Sequence, residues 1–73
     1  MSEIVIDQKI LSGKPIIKGT RISVEFIMEM LSSGMSISDI IEEYPQIRKE
    51  DILAFLVYVT KRIKQEEIYS LNK

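Results

Sequence analysis

The spacing of apolar positions along this 73-residue chain changes near residue 23. Ahead of that point the apolar side chains fall in two short runs, Ile4-Val5-Ile6 and Pro15-Ile16-Ile17-Lys18, and each reads as a strand. Proline has no amide to donate, so Pro15 suits the first residue of a strand or an edge. A polar connection over residues 7–14 separates the two runs, and Gly19-Thr20 breaks the second. At that corner Gly19 is expected to take a backbone conformation closed to residues with side chains, and Thr20 to hydrogen-bond locally.

From Ser23 onward the period is 3.6. Val24, Ile27, Met28 and Leu31 share one helical face, which Phe26 and Met30 widen. Ser23 is a good N-cap, Glu25 suits the positive helix end, and Gly34 is a natural stop. A second helix starts at Ser36, whose spacing to Asp39 is that of a capping box. Its face is Ile37, Ile40, Ile41 and Tyr44, and Pro45 ends it. A third helix is predicted to begin near Arg48, with Ile52, Phe55, Leu56, Val59 and Ile63 inward. Residues 52–59 alone could be a buried strand, but the pattern runs on for more than twenty residues without a breaker, which favours a helix. The fold class is therefore mainly α: a short N-terminal β-hairpin followed by a three-helix bundle. One domain spans residues 1–73, with a hairpin arm over 3–22, a bundle over 23–68 and a frayed tail over 69–73.

A chain of this length seldom gains more than about 3–5 kcal/mol from its core, so small domains add disulfides, metals or partner subunits. Cysteine and histidine are both absent. That leaves no disulfide, no metal or other cofactor expected, and no usual neutral-pH general base. An enzyme is not expected, because no carboxylate, lysine or hydroxyl pair stands at a persuasive spacing. The remaining staple is a homodimer. It is supported by the third helix, where Leu53, Val57 and Tyr58 add apolar surface beyond one stripe. The alternative is that the hairpin covers this surplus within one subunit. No run is long enough to span a membrane and no signal peptide is evident, so the protein is expected to be soluble and cytoplasmic.

Net charge is −1, but it is unevenly placed. Residues 1–23 carry four bases (Lys9, Lys14, Lys18, Arg21) against two acids, and residues 48–73 six bases against four acids. Residues 24–47 carry five acids and no base. A small dipolar protein can offer a basic surface to an anion despite a near-neutral total, although solvated faces placed by chance would look alike.

The stretch GKPIIKGTRISV suggests a phosphate cradle. A phosphate loop requires a glycine, four residues, then Gly-Lys-Ser/Thr. Here five residues separate Gly13 from Gly19 and Lys18 precedes the second glycine, so the nucleotide reading fails. Two short helices, a brief turn and a longer helix instead give a helix-turn-helix order, whose second element lies in the DNA major groove. The reading helix begins Arg48-Lys49-Glu50-Asp51. Arg48 can meet a guanine edge or a phosphate, Lys49 a phosphate, and Leu53 points outward beside them. Glu50 and Asp51 suit the helix dipole and can cap free amides. The bland alternative for Arg48 and Lys49 is an ordinary solvated helix start.

GKPIIKGTRISVEFI, followed by a glycine-ended helix and DIIEEYPQIRKEDILAFLVY, closely resembles the short prokaryotic proteins of domain-of-unknown-function family 433 over residues 4–63. The shared features are a Gly-x-Pro-x-Ile-x-Gly-Thr-Arg-Ile signature and a later Tyr-Pro. The resemblance implies a homeodomain-like three-helix fold behind a β-hairpin. It also implies the antitoxin half of a toxin–antitoxin pair, with a PIN-like ribonuclease toxin as usual neighbour. Two departures stand out. Lys18 replaces a common arginine and loses its bidentate fork, and Arg48-Lys49 replaces a Thr-Pro-like cap, which weakens capping by about 1 kcal/mol.

The expected function is thus an antitoxin and autoregulator that binds double-stranded operator DNA as a dimer. Lys18, Arg21, Arg48, Lys49 and Leu53 are the candidate DNA contacts. Arg21 is ambiguous: it can reach DNA, or it can pair with Glu25 or a helix-two glutamate and lock the corner, which is the favoured reading. For the toxin, residues 64–71 offer Glu66, Glu67, Ile68 and Leu71 as a segment that folds on binding, with the acidic surface of helices one and two as alternative. Competing functions are a stand-alone helix-turn-helix regulator and a protein-interaction module that never touches DNA, which a pI of about 5.4 favours.

Overall fold

The computed structural model describes the backbone of residues 2–71 and the side chains of residues 2–66. The order is β1 (Ile4–Ile6), β2 (Pro15–Ile17), α1 (Val24–Ser32), α2 (Ile37–Glu43) and α3 (Lys49–Leu71). This is the expected mainly helical architecture, a short hairpin followed by three helices. Helix α3 continues through Leu71, three residues past the expected end of the bundle.

The strands pair antiparallel, Ile4 opposite Ile17, Val5 opposite Ile16 and Ile6 opposite Pro15. Strand β2 is not simply an edge, because Ile16 also bridges to Ser23 and the Ile17 amide donates to the Ile22 carbonyl at 2.9 Å. Covered on both flanks, Ile16 and Ile17 are both buried, which is why this strand shows no polar alternation. The chain reverses within residues 18–21. Gly19 has φ +82°, a left-handed conformation that a side chain disfavours. The Thr20 hydroxyl donates to the Ile17 carbonyl at 2.8 Å and accepts from the Ile22 amide at 3.0 Å, so the corner satisfies its own polar groups. With Ile16 and Ile17 packed inside, residues 13–19 form a structural corner and not a bare backbone cup.

Each of the first two helices starts on the serine that the sequence marks. The Ser23 hydroxyl accepts from the Phe26 amide at 2.9 Å, and Ser23 itself is buried. Ser23→Ala is therefore expected to cost about 1–2 kcal/mol and to lower the melting temperature by roughly 4–8 °C per kcal/mol, as read by circular dichroism. An unchanged melting temperature would show that the cap is idle. At α2 the Asp39 amide donates to Ser36 Oγ and the Ser36 amide to Asp39 Oδ2, both at 3.0 Å, a complete capping box. The Ser36 backbone amide is the main cause that holds the Asp39 carboxyl below the usual carboxylate range. Helix α1 stops where the Met35 amide returns to the Met30 carbonyl and the Gly34 amide to Leu31, with Gly34 at φ +100°.

One core joins all five elements: Ile17, Ile22, Val24, Ile27, Met30, Ile40, Ile47, Ile52 and Phe55, with Ile4 of β1 packed against it. It differs from the expected faces in four places, one of them Ile37 of α2, which is exposed. Met28 is exposed, so the buried face of α1 runs through Val24, Ile27 and Met30. Ile47, in the joint between α2 and α3, is buried although it belongs to no helix. On α3, Leu56 and Ile63 are exposed and, among its described apolar residues, only Ile52 and Phe55 are fully buried, with Tyr58 and Val59 partly covered. The helix thus turns a narrow stripe to the core, and Leu53, Leu56, Val57 and Ile63 face outward.

Candidate nucleic-acid interface

The start of α3 has an unusual cap. At the residue before the helix stands Arg48, whose side chain cannot accept a hydrogen bond. An acid inside the helix caps the Arg48 amide: Asp51, only 3% exposed, accepts from it at 2.8 Å. This is one half of a capping box, and it anchors the tip of α3 through the arginine's backbone. The Arg48 guanidinium lies 3.9 Å from Asp51 and 3.9 Å from Glu50, loose pairs that leave it largely in solvent. Lys49 is exposed beside it. The expected capping role of the acids at this helix start is thus carried by Asp51.

The strand-to-helix corner comes to the same end of the molecule. Gly19, Thr20 and Arg21 share a shallow cleft with Gln46 of the α2–α3 joint. On the other flank the Lys18 amide donates to the Glu3 carbonyl at 2.9 Å, and its ammonium sits 3.7 Å from the Glu3 carboxylate. Glu3 in turn lines one groove with Arg48 and Glu50. Lys18, Arg21, Arg48 and Lys49, separated by up to thirty-one positions in the chain, are all exposed on these two adjoining segments, with Glu3 and Glu50 near Arg48 and Glu25 and Glu29 near Arg21.

The favoured locking role for Arg21 is not what the structure shows. Glu25 is taken instead by Lys14, whose ammonium donates to it at 2.7 Å, a hydrogen bond that raises the lysine above its ordinary pKa. Among the described residues Arg21 makes no ion pair; it stands at the edge of a cleft that also holds Glu25 and Glu29. Its side chain is exposed.

Leu53 is exposed, as expected, and lines a groove of about 560 Å³ that has Ile4, Ala54, Val57 and Tyr58 on its apolar side and Arg48 and Glu50 beside them. It marks the boundary between the basic end and an apolar flank of α3. Of the residues assigned to toxin binding, Glu66 is exposed on α3. The side chains of Glu67, Ile68 and Leu71 lie outside the described residues. The other acidic candidate is present: Asp39, Glu42 and Glu43 line a shallow cleft with Met35. Among the described residues no helix is long and apolar enough to cross a membrane.

Two features that shape this end are faint in the sequence. The burial of Asp51 has its signal in the three-residue spacing to Arg48, the same spacing as Ser36 to Asp39. Gln46, which lines the cleft between the corner and the joint, carries no local signal at all. Comparison with curated proteins and with solved structures returns no match. A family model described as "Protein of unknown function (DUF433)" matches residues 4–59, from the first strand into the body of α3, and the chain belongs to that family.

Proposed function

We propose that this chain is an antitoxin-like DNA-binding protein. A dimer grips duplex phosphates with the basic end formed by Lys18, Arg21, Arg48 and Lys49, and a second surface holds a ribonuclease partner. The observation that carries the DNA half is the convergence of two distant segments, the 18–21 corner and the 46–49 joint, on one exposed end. Phosphate binding needs just such clustered, solvated bases held on a rigid frame. The buried Asp51 cap supplies that frame, because it fixes the backbone of Arg48 while its side chain stays available. For the nuclease half, support comes from the likeness of the Gly-Thr-Arg-Ile segment to antitoxin-like proteins. The acid-lined cleft at α2 adds to it, a surface suited to a basic partner.

Arg48→Ser tests the DNA half. Serine restores an N-cap acceptor, so thermal stability should stay equal or rise. Duplex affinity should fall, and the slope of log K against log salt should shrink by about 0.9 for each phosphate that no longer meets a base. Lower stability with unchanged binding would overturn the reading. Co-purification of a nuclease from the native host separates the antitoxin from a stand-alone regulator.

A second reading, a protein-interaction module that does not touch DNA, is favoured by the apolar exposure of Leu53, Leu56 and Val57 on α3. Salt-insensitive, duplex-independent behaviour of the wild type would select it.

A further inference from the structure

We infer that the outward face of α3 centred on Leu53, Ala54 and Val57 is closed by a second copy of this chain, with the two helices antiparallel about a twofold axis. Leu53 and Val57 are 58% and 55% exposed, one turn apart, on a helix whose other side is packed into the core. The hairpin covers only one margin of this face, where Ile4 and Tyr58 pack against the core. A groove of about 560 Å³ remains open between them. A chain without cysteine, at the lower limit of size for an independent core, gains most from covering such a surface.

The charges choose the occupant and its direction. Glu50 lines one end of the groove together with Glu3 and Arg48, which leaves that end net negative, and Lys61 lines the other. Eleven residues separate Glu50 from Lys61, which on an α-helix is about 16 Å of rise and only about 20° of rotation, so they stand on the same edge. A twofold interface is isologous: what one subunit presents at one end meets what the other presents at the opposite end. In the antiparallel arrangement each Glu50 therefore faces a Lys61, twice per dimer. In a parallel arrangement Glu50 would face Glu50 and Lys61 would face Lys61, which is repulsive. Ala54, near the midpoint, lets the two helix backbones approach closely. Glu50 is only loosely held within its own subunit, 3.9 Å from Arg48, and its carboxylate can turn toward the partner.

This inference specifies the dimer assumed in the DNA-binding reading but does not depend on DNA being bound. Sedimentation equilibrium on the full chain decides it. The wild type should be dimeric at micromolar concentration. Val57→Glu, at an exposed site, should keep its helical circular dichroism and raise the dimer dissociation constant about 100-fold or more. Lys61→Glu, which cannot unfold a buried site, should raise it roughly tenfold through two like-charged pairs. The exchange Glu50→Lys with Lys61→Glu should recover most of that affinity. A monomeric wild type, a dimer indifferent to Val57→Glu, or an exchange that fails to recover would each overturn the inference, as would capture of this face by a different protein. A sound dimer that ignores duplex DNA would leave it standing and remove the DNA-binding reading alone.

Discussion

Changing Lys18, Arg21, Arg48 and Lys49 together to serine should abolish measurable duplex binding while leaving the fold intact. All four side chains are exposed, and surface substitutions of this kind usually stay within about 0.5 kcal/mol each. If each base meets one phosphate, a dimer neutralises about eight, worth a salt slope of roughly −7 and an affinity drop of at least ~10³-fold at low salt. The variant also changes net charge from −1 to −5, which by itself repels DNA. A second variant removes that ambiguity: serine at Lys9, Arg62, Lys64 and Lys73 reaches the same −5 and keeps all four candidate contacts. It should bind nearly as well as the wild type. Equal weakness of the two variants would mean that only bulk charge matters, and undiminished binding by the first would end the proposal. Filter binding or fluorescence anisotropy across a salt series reads both.

The contrast between these two sets of bases is also a contrast between what a sequence displays and what folding assembles. Arg48 and Lys49 are conspicuous in the sequence, because a basic pair at the start of a helix after Tyr44-Pro45 has few local explanations. Arg21 is ambiguous there because its rivals for Glu25 are set by the hairpin. Only the strand register, with Ile6 opposite Pro15, brings Lys14 to within 2.7 Å of that carboxylate and leaves the arginine outward. Of the joint, Gln46 lines the cleft beside the corner, and its residue type says nothing about position. Local signals of a different kind are strong. Ser23, Gly34, Ser36 and Pro45 each mark a helix boundary, since capping and left-handed backbone are determined by one residue and its nearest neighbours. Burial of Ile47 and exposure of Met28 depend on how helices meet, and spacing alone does not encode that.

Phe55→Ala should leave the protein largely unfolded, whereas Leu56→Ala should cost about 1 kcal/mol or less. The periodicity of α3 treats the two positions alike, since both fall in a run that is apolar nearly all round. In the structure they diverge: Phe55, 1% exposed, is among the largest fully buried side chains, while Leu56 is 42% exposed. Truncating a buried phenylalanine typically costs about 3–5 kcal/mol, and the whole core of a domain this size yields about 3–5 kcal/mol. The two quantities are equal, so the alanine variant has almost no margin as a subunit alone. A partner copy adds stability that grows with concentration, because it binds the folded chain and not the unfolded one. Circular dichroism of Phe55→Ala should therefore show helix content that rises with protein concentration, and Leu56→Ala a near-native melt. A Leu56→Ala variant as damaged as Phe55→Ala would mean that α3 is rotated about its axis from the orientation described. That rotation would withdraw the outward face of Leu53 and Val57, and with it the surface on which a second chain is placed.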